Sequence, residues 1–327
     1  MTKVAIIGAG IAGLACAEAL QAAGHAVVLF DKSRSAGGRM STRRLATPLG
    51  EAQFDHGAQY FNVRDAQFRD RVERWRVTGV ALPWPAAGPD AWVGVPGMTA
   101  PAKAMAGGCE VRWSVPVDGL RKLDEGWQFL GAAVGSPETS RTSVAAREPD
   151  ARFDAVVVAL PAEQAAGLLA PIHPAFAAAA GATRSAPCWT LMLAFADRLP
   201  VATDIIRDGG AIGWAARNSA KPGRSGPEAW VVQAGPAWSA AHLELPPKEV
   251  MAALQREFAV LAGITLPAPL VSAAHRWRYA RSGTLGQTAL WDAAARLGVC
   301  GDWLLGPRVE AAWLSGTGMA TRIVTSG

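Results

Sequence analysis

Residues 3–31 read KVAIIGAGIAGLACAEALQAAGHAVVLFD, and their periodicity decides the fold. KVAII is a short apolar run of the kind that forms a strand buried on both faces. GAGIAG follows, placing Gly8, Gly10 and Gly13 in GxGxxG spacing, and then a helical pattern, LACAEALQAAG. A second strand, HAVVLFDK, carries Asp31 near its end. Each glycine has a physical role in this turn. Gly8 permits the tight bend, Gly10 lets a pyrophosphate approach the backbone, and Gly13 allows close helix–strand packing. Ile11 and Ala12 then open a helix whose unbonded N–H groups and positive dipole end face the phosphates. Asp31, 18 residues past Gly13, is placed to accept hydrogen bonds from a ribose, and an acid there disfavours a 2′-phosphate. At this point both FAD and NAD fit. The same residues could pass for a signal peptide, but three glycines interrupt the apolar stretch. The expectation is a cytoplasmic protein with no export signal.

Residues 32–44, KSRSAGGRMSTRR, extend the motif. They resemble the segment that follows the second strand in FAD-binding oxidases of the amine oxidase superfamily. The resemblance implies that Lys32, Gly37, Gly38, Arg39 and Met40 run along the cofactor, with Arg39 near its phosphates. The residue types agree: paired glycines allow close backbone approach, and a guanidinium offers phosphate a fork of donors. Arg43 and Arg44 read as a basic surface loop. No second GxGxxG occurs, nor any extra motif for a reduced nicotinamide, so one dinucleotide is implied and the resemblance makes it FAD.

Residues 298–316, GVCGDWLLGPRVEAAWLSG, have too many glycines for an ordinary core helix and too many apolar residues for a tail. In the superfamily a strand ending in GD brings an acid to the ribityl hydroxyls, and a helix then starts against the flavin pyrimidine. The resemblance assigns these roles to Asp302 and to Val309 and Glu310, with LGVCGDW as the strand and residues 308–324 as the helix. A helix N-terminus there favours an anionic reduced ring. These strings, with DHGAQYF, WVGVPGM, ARNSAKPGR and AHRWRYAR, resemble the bacterial renalases across residues 3 to about 316.

The rest of the chain bounds the answer. It has 327 residues, 50% hydrophobic and 18% charged, which suits a globular protein able to bury a cofactor. A net charge of +5 with scattered arginines argues against nucleic-acid binding and is compatible with a phosphate-bearing substrate. The four cysteines form no CxxC and have no histidine at metal spacing, so buried thiols and no metal site are expected. No apolar run reaches the length of a membrane span.

Residues 109–131 read as two strands around a polar turn, and FDAVVVALP as a buried strand completing the FAD domain. The resemblance puts the backbone of Val117 against the adenine. Residues 131–150 read as an exposed hairpin tip. Residues 189–196, 211–217, 229–235 and 270–280 read as strands of a second sheet, and residues 246–263 as an amphipathic helix bounded by Pro and Gly. The expected fold is α/β: a discontinuous Rossmann-like FAD domain (1–60, 100–165, 282–327) with an inserted mixed-sheet substrate domain (61–99, 166–281).

For the chemistry, the resemblance places the backbone of Gly57, Ala58 and Gln59 beside the reactive edge of the flavin and Tyr60 in the substrate pocket. Strand alternation puts His275, Trp277 and Tyr279 on one face and Arg276 and Arg278 on the other; Trp277 is expected to face the flavin, with an aromatic core stripe as the alternative. Trp214, Arg217, Asn218 and Arg276 are expected at the substrate. The loop carrying Arg217, Asn218, Lys221 and Arg224 reads either as a phosphate site or as a solvated basic turn. Amine oxidases often hold substrate between two tyrosines, and this chain has two Tyr in all, 219 residues apart. No general base stands out, which hydride transfer from a dihydropyridine tolerates. The renalase resemblance therefore implies oxidation of 2- or 6-dihydroNAD(P) to NAD(P)+, with dioxygen reduced to hydrogen peroxide. An amine oxidase or desaturase, and a flavin-binding protein without turnover, are the alternatives.

Overall fold

The computed structural model describes residues 1–130 and 151–326, so the expected hairpin tip at 131–150 lies outside the described residues. The chain divides into two compact units: Met1–Gly38 with Ala102–Arg184 and Ser282–Gly327, and Arg39–Pro101 with Ser185–Arg281.

The first unit is built on a six-stranded sheet in the order Leu290–Asp292, Leu297–Val299, Ala155–Val158, Lys3–Ile7, Ala26–Asp31, Glu110–Trp113. All its pairs are parallel except the outermost, Leu290–Asp292 on Leu297–Val299. Val4 to Ile7 and Val156 to Val158 are buried, as central parallel strands covered on both faces must be. The helix Ile11–Ala22 packs against the C-terminal helix Val309–Ser326. Their approach is so close that a Cβ on Gly316 would sit 2.1 Å from the Ala12 carbonyl oxygen.

Two readings of this unit are corrected. Residues 109–131 supply three strands in two sheets. Glu110–Trp113 joins the parallel sheet, while Gly119–Lys122 and Trp127–Leu130 form an antiparallel sheet with Arg152–Phe153. Ser114, at φ 57°, turns the chain between the two sheets, and Phe30, Phe129 and Phe153 pack ring on ring to join them, at 5.1 to 5.7 Å. The strand expected over LGVCGDW stops at Val299, and Asp302–Leu305 forms one helical turn. There the Trp303 indole N–H donates to the Leu160 carbonyl at 3.1 Å, and Gly301 N–H to Ser315 Oγ at 2.9 Å, drawing the chain out of the sheet.

The second unit holds a five-stranded sheet in the order Ile205–Gly209, Ile212–Arg217, Glu228–Ala234, Ala186–Phe195, Val271–Arg281. All its pairings are antiparallel; the sheet of mixed direction is the one in the first unit. Ile205–Gly209 had no counterpart in the sequence reading. One face packs on Val250, Leu254 and Phe258 of the helix Pro247–Ala262. The other packs Met192, Ala194, Ala229 and Val231 on Ala52 and Phe54 of the hairpin Thr42–Thr47/Gly50–Asp55. That contact places residues 39–60 in the second unit, where the FAD domain was expected. Residues 166–184 go the other way, because Leu168, Leu169 and Ala180 lie in the first unit's core.

Candidate active site

The glycine-rich turn behaves as its spacing requires. Gly8 has φ 106°, and a Cβ there would meet the Ala159 carbonyl oxygen at 2.5 Å. A Cβ on Gly13 would lie 2.0 Å from Gly8 O, whereas one on Gly10 would meet nothing within 4 Å. Gly10 is also the N-cap of Ile11–Ala22, with no side-chain cap and no acid in the first turn. An open backbone face next to uncapped N–H groups fits a pyrophosphate. Asp31 is half-buried and accepts from Ala9 N–H and Ser33 N–H, each at 2.7 Å. It thus closes the turn, and a carboxylate has lone pairs left for ribose hydroxyls. The residues present fit FAD. In the same unit Asp302 is buried and accepts from Ser282 Oγ at 3.2 Å. Glu310 is buried in the first turn of Val309–Ser326, and Val309 is half-buried at its start. Lys32 is exposed, its ammonium 3.5 Å from Gln164 Oε1. Val117 is half-buried against the first unit's core. Gly38 and Met40 bound a single 3-10 turn with Arg39 half-buried between them.

In the second unit the 55–60 segment is clamped from several directions. A Cβ on Gly57 would lie 2.0 Å from Arg39 O, and Ala58 N–H donates to that same oxygen at 2.8 Å. The Gly57 carbonyl accepts from Gln233 Nε2 at 2.7 Å and from Gln59 Nε2 at 3.4 Å; the Gln59 amide also donates to the Asp55 carbonyl. Behind it lies a buried ion cluster. Asp55 Oδ2 accepts from Lys221 Nζ at 3.1 Å and from Arg224 Nη2 at 2.6 Å, and Oδ1 from Thr42 Oγ1 and Met98 N–H at 2.8 and 2.9 Å. Burial alone would raise the Asp55 carboxyl, but Lys221 and Arg224 outweigh it and hold it at about 2. Burial lowers the Lys221 ammonium to about 8 against the pull of Asp55.

This cluster replaces both readings of the 216–224 loop. Lys221 and Arg224 face inward, and Asn218 is buried, accepting from Asp55 N–H and donating to Gln53 O. Arg217 is fully buried, its guanidinium bonded to Asp204, Glu228 and the carbonyls of Leu199 and Val201. Arg217 and Asn218 are therefore structural, with their polar groups directed at the protein and not at a substrate. Arg276 is bound to Glu244 and the Leu243 carbonyl and lies over the Trp189 ring, on the opposite face from His275. It is corrected in the same way.

The remaining expected residues gather on one sheet face. Strand register aligns Arg207, Trp214, Gln233, Thr190 and His275 in a row across the five strands, and directly paired residues share a face. Trp277 lies two residues further along its strand, its ring 4.4 Å from that of His275. It stacks on His56 at 5.1 Å and donates from Nε1 to the His56 carbonyl at 2.8 Å. Tyr60 is tilted against Trp214 at 5.4 Å and meets Trp84 edge-on at 6.3 Å. The sequence reading missed Thr190, Gln233 and His56; His56 stood beside the Gly57 segment and was the one locally signalled. Cys188, opposite Trp277, has its thiol pushed up to about 11 by burial. All four cysteines are free thiols, two of them half-buried.

The row is neutral around its histidines. Burial, then His275 and Arg43, lower His56 to about 4, and burial with Arg43 lowers His275. The unfolded chain protonates a histidine near about 6.5, so between that value and about 4 it binds the extra proton and the folded chain does not. The stability due to neutral His56 is complete above about pH 6.5 and falls as pH drops toward 4, by about 3 kcal/mol. His56→Phe is expected to narrow the difference between urea midpoints at pH 7.5 and pH 4.5; an unchanged difference would show that His56 does not drive it.

Among the described residues no group of three or more His, Cys, Asp or Glu could hold a metal ion, and no helix is long and apolar enough to cross a membrane. The chain is similar in fold to three solved proteins. One is the provisionally assigned protoporphyrinogen oxidase from Exiguobacterium sp. 255-15, at TM-score 0.75 and 11% identity over 100% of this chain and 99% of that one. Another is cyclohexylamine oxidase from Brevibacterium oxydans IH-35A, at TM-score 0.72 and 13% identity over 99% of each chain. The third is putrescine oxidase bound to putrescine, at TM-score 0.65 and 13% identity over 99% of each. An NAD(P)-binding Rossmann-like domain matches residues 6–75. Flavin containing amine oxidoreductase matches residues 85–324, most of the chain, and the protein belongs to that family of oxidoreductases, whose cofactor is FAD.

Proposed function

We propose that the protein is a renalase-like oxidase that takes hydride from 2- or 6-dihydroNAD(P). The turn Gly8–Gly13 and Asp31 would hold the dinucleotide part of FAD, with Asp302, Val309 and Glu310 toward the flavin and Gly38, Arg39 and Met40 along the phosphates. Bound FAD supplies the hydride acceptor, and dioxygen then takes the two electrons as hydrogen peroxide. The observation that carries the reading is the row Trp214–Gln233–Thr190–His275. It offers a flat aromatic surface and neutral hydrogen-bonding groups, and it contains no carboxylate. A dihydropyridine with a carboxamide arm suits such a surface. Losing hydride restores its aromaticity, so the site has to orient the ring and needs no strong base. Gln233 and His275, both half-buried, would orient the carboxamide, while Trp277 and Tyr60 would confine the ring and exclude water.

Oxidation of a small amine is the second reading. The family and the folds of the cyclohexylamine and putrescine oxidases favour it. Against it stands the setting of Tyr60, whose ring meets the tryptophans Trp214 and Trp84, where two facing tyrosines would hold an amine. Anaerobic mixing with 2- and 6-dihydroNAD, ordinary NADH and a panel of amines decides between them. Rapid loss of the oxidised-flavin band with a 2- or 6-isomer alone is the expected result; loss with an amine alone would overturn it.

A further inference from the structure

Arg207 ends the row. It lies on the edge strand Ile205–Gly209, directly opposite Trp214, with its guanidinium carbon 4.8 Å from the centre of the Trp214 ring. Nη2 donates to the Ala87 carbonyl at 2.9 Å, which pins the group in place. Several other surface arginines of this unit pair with acids, Arg276 and Arg278 with Glu244, Arg198 with Asp204 and Arg44 with Glu51, although among the described residues some, such as Arg43, do not. No carboxylate pairs with Arg207 among the described residues. Its charge is therefore held by stacking and one carbonyl, with donors left for an anion.

The register sets a length. Neighbouring strands are about 4.8 Å apart, so Arg207 stands about 10 Å from Gln233 and about 14 Å from Thr190 along the row. An arginine side chain covers several ångströms of that separation. The remainder is about the distance from a pyridine ring across a ribose to its phosphate.

We propose that Arg207 is the residue of this row that selects for a phosphate, binding the substrate's diphosphate one ribose away from the ring held at Gln233 and His275. This rests on the dihydropyridine reading for the ring and on strand register for the anion. Trp214, fixed between Arg207 and Tyr60, aligns the guanidinium, and the edge position keeps the adenosine half outside the row.

Arg207→Ala and Arg207→Lys test it, both at an exposed position whose loss leaves the core intact. With 2- or 6-dihydroNAD as substrate, Arg207→Ala is expected to raise KM by about ten-fold or more, the worth of a charge-assisted hydrogen bond, with kcat unchanged. With the matching dihydronicotinamide riboside, which has no phosphate, KM should stay within about two-fold of the parent enzyme, and Arg207→Lys should recover part of the dinucleotide effect. Calorimetric titration with ADP-ribose should show binding to the parent that Arg207→Ala loses. Equal changes for dinucleotide and riboside, or no change for either, would overturn the proposal. If ADP-ribose binds through Arg207 but no dihydropyridine reduces the flavin, the anion site stands and the substrate reading falls.

Discussion

Replacing Asp55 with Ala is expected to lower folding stability by about 3–5 kcal/mol. The reason lies in what the carboxylate leaves behind. Its side chain and that of Lys221 are fully buried, and that of Arg224 is 1% exposed. Removing it orphans two buried cations at once, together with the Thr42 hydroxyl and the Met98 N–H. Asp55→Asn keeps the shape and an acceptor but not the charge, so it should cost less than Ala and more than a surface change. Adding Lys221→Met to Asp55→Ala should recover part of the loss, because it deletes one of the orphaned charges, and a double-mutant cycle in urea reads that coupling directly. The pH dependence has a definite sign. Asp55 titrates at about 2 when folded and near about 3.9 when unfolded. Its contribution is present above about pH 4 and is lost as pH falls toward 2, a window separate from that of His56. Lys221, lowered to about 8, acts oppositely to a stabilised lysine: stability rises with pH between about 8 and its unfolded value of about 10.4. A loss below 1 kcal/mol in Asp55→Ala would mean that the cluster does not hold the 55–60 segment in place.

That cluster also shows where the sequence stopped being readable. Asp55 and Lys221 are 166 residues apart, so the chain displays an acid at the end of one strand and a basic loop far away. A basic loop invites the choice between solvent and phosphate; an acid buried elsewhere that consumes it is not a local property. The one available signal was Asp55 itself, an acid following the apolar Phe54 at a strand end, which would need cationic partners if buried. Arg217 illustrates the same blindness, because its partners Asp204 and Glu228 lie on either side of it in sequence but only burial turns them into a closed set. The dinucleotide turn was legible because everything it needs lies within residues 3–31: the periodicity, the three glycines and the closing acid. His275 and Trp277 were legible as neighbours on one face, since alternation within a strand is local. Their alignment with Thr190, Gln233, Trp214 and Arg207 depends on the register of five strands, and a slip of one residue would turn every one of those side chains to the other face.

Gly10 and Gly13 stand three residues apart in one motif, yet their substitution should have opposite consequences. Gly10→Val is expected to leave a folded protein that has lost its cofactor. The backbone there, at φ −78°, suits any residue, and the space over its Cα is empty of protein for 4 Å. The cost to the fold is at most about 1 kcal/mol, from placing an apolar residue at an N-cap. On our proposal that the pyrophosphate of FAD lies over this turn, the added methyl groups would occupy its volume, so FAD affinity should fall by at least about a hundred-fold, the loss of two or more charge-assisted hydrogen bonds. Gly13→Val should instead fail at the fold. Its Cβ would be driven to 2.0 Å from Gly8 O and 3.2 Å from the Ala159 Cβ, and neither the turn nor the central strand behind it can give way cheaply. A core overpacked to this degree loses about 3 kcal/mol or more. Flavin content per chain and the urea midpoint of the apoprotein, measured together, separate the two. A Gly10→Val protein that retains its flavin would remove the pyrophosphate from that turn. One that loses flavin and unfolds as early as Gly13→Val would mean that the open face at Gly10 is needed by the fold and not reserved for the cofactor.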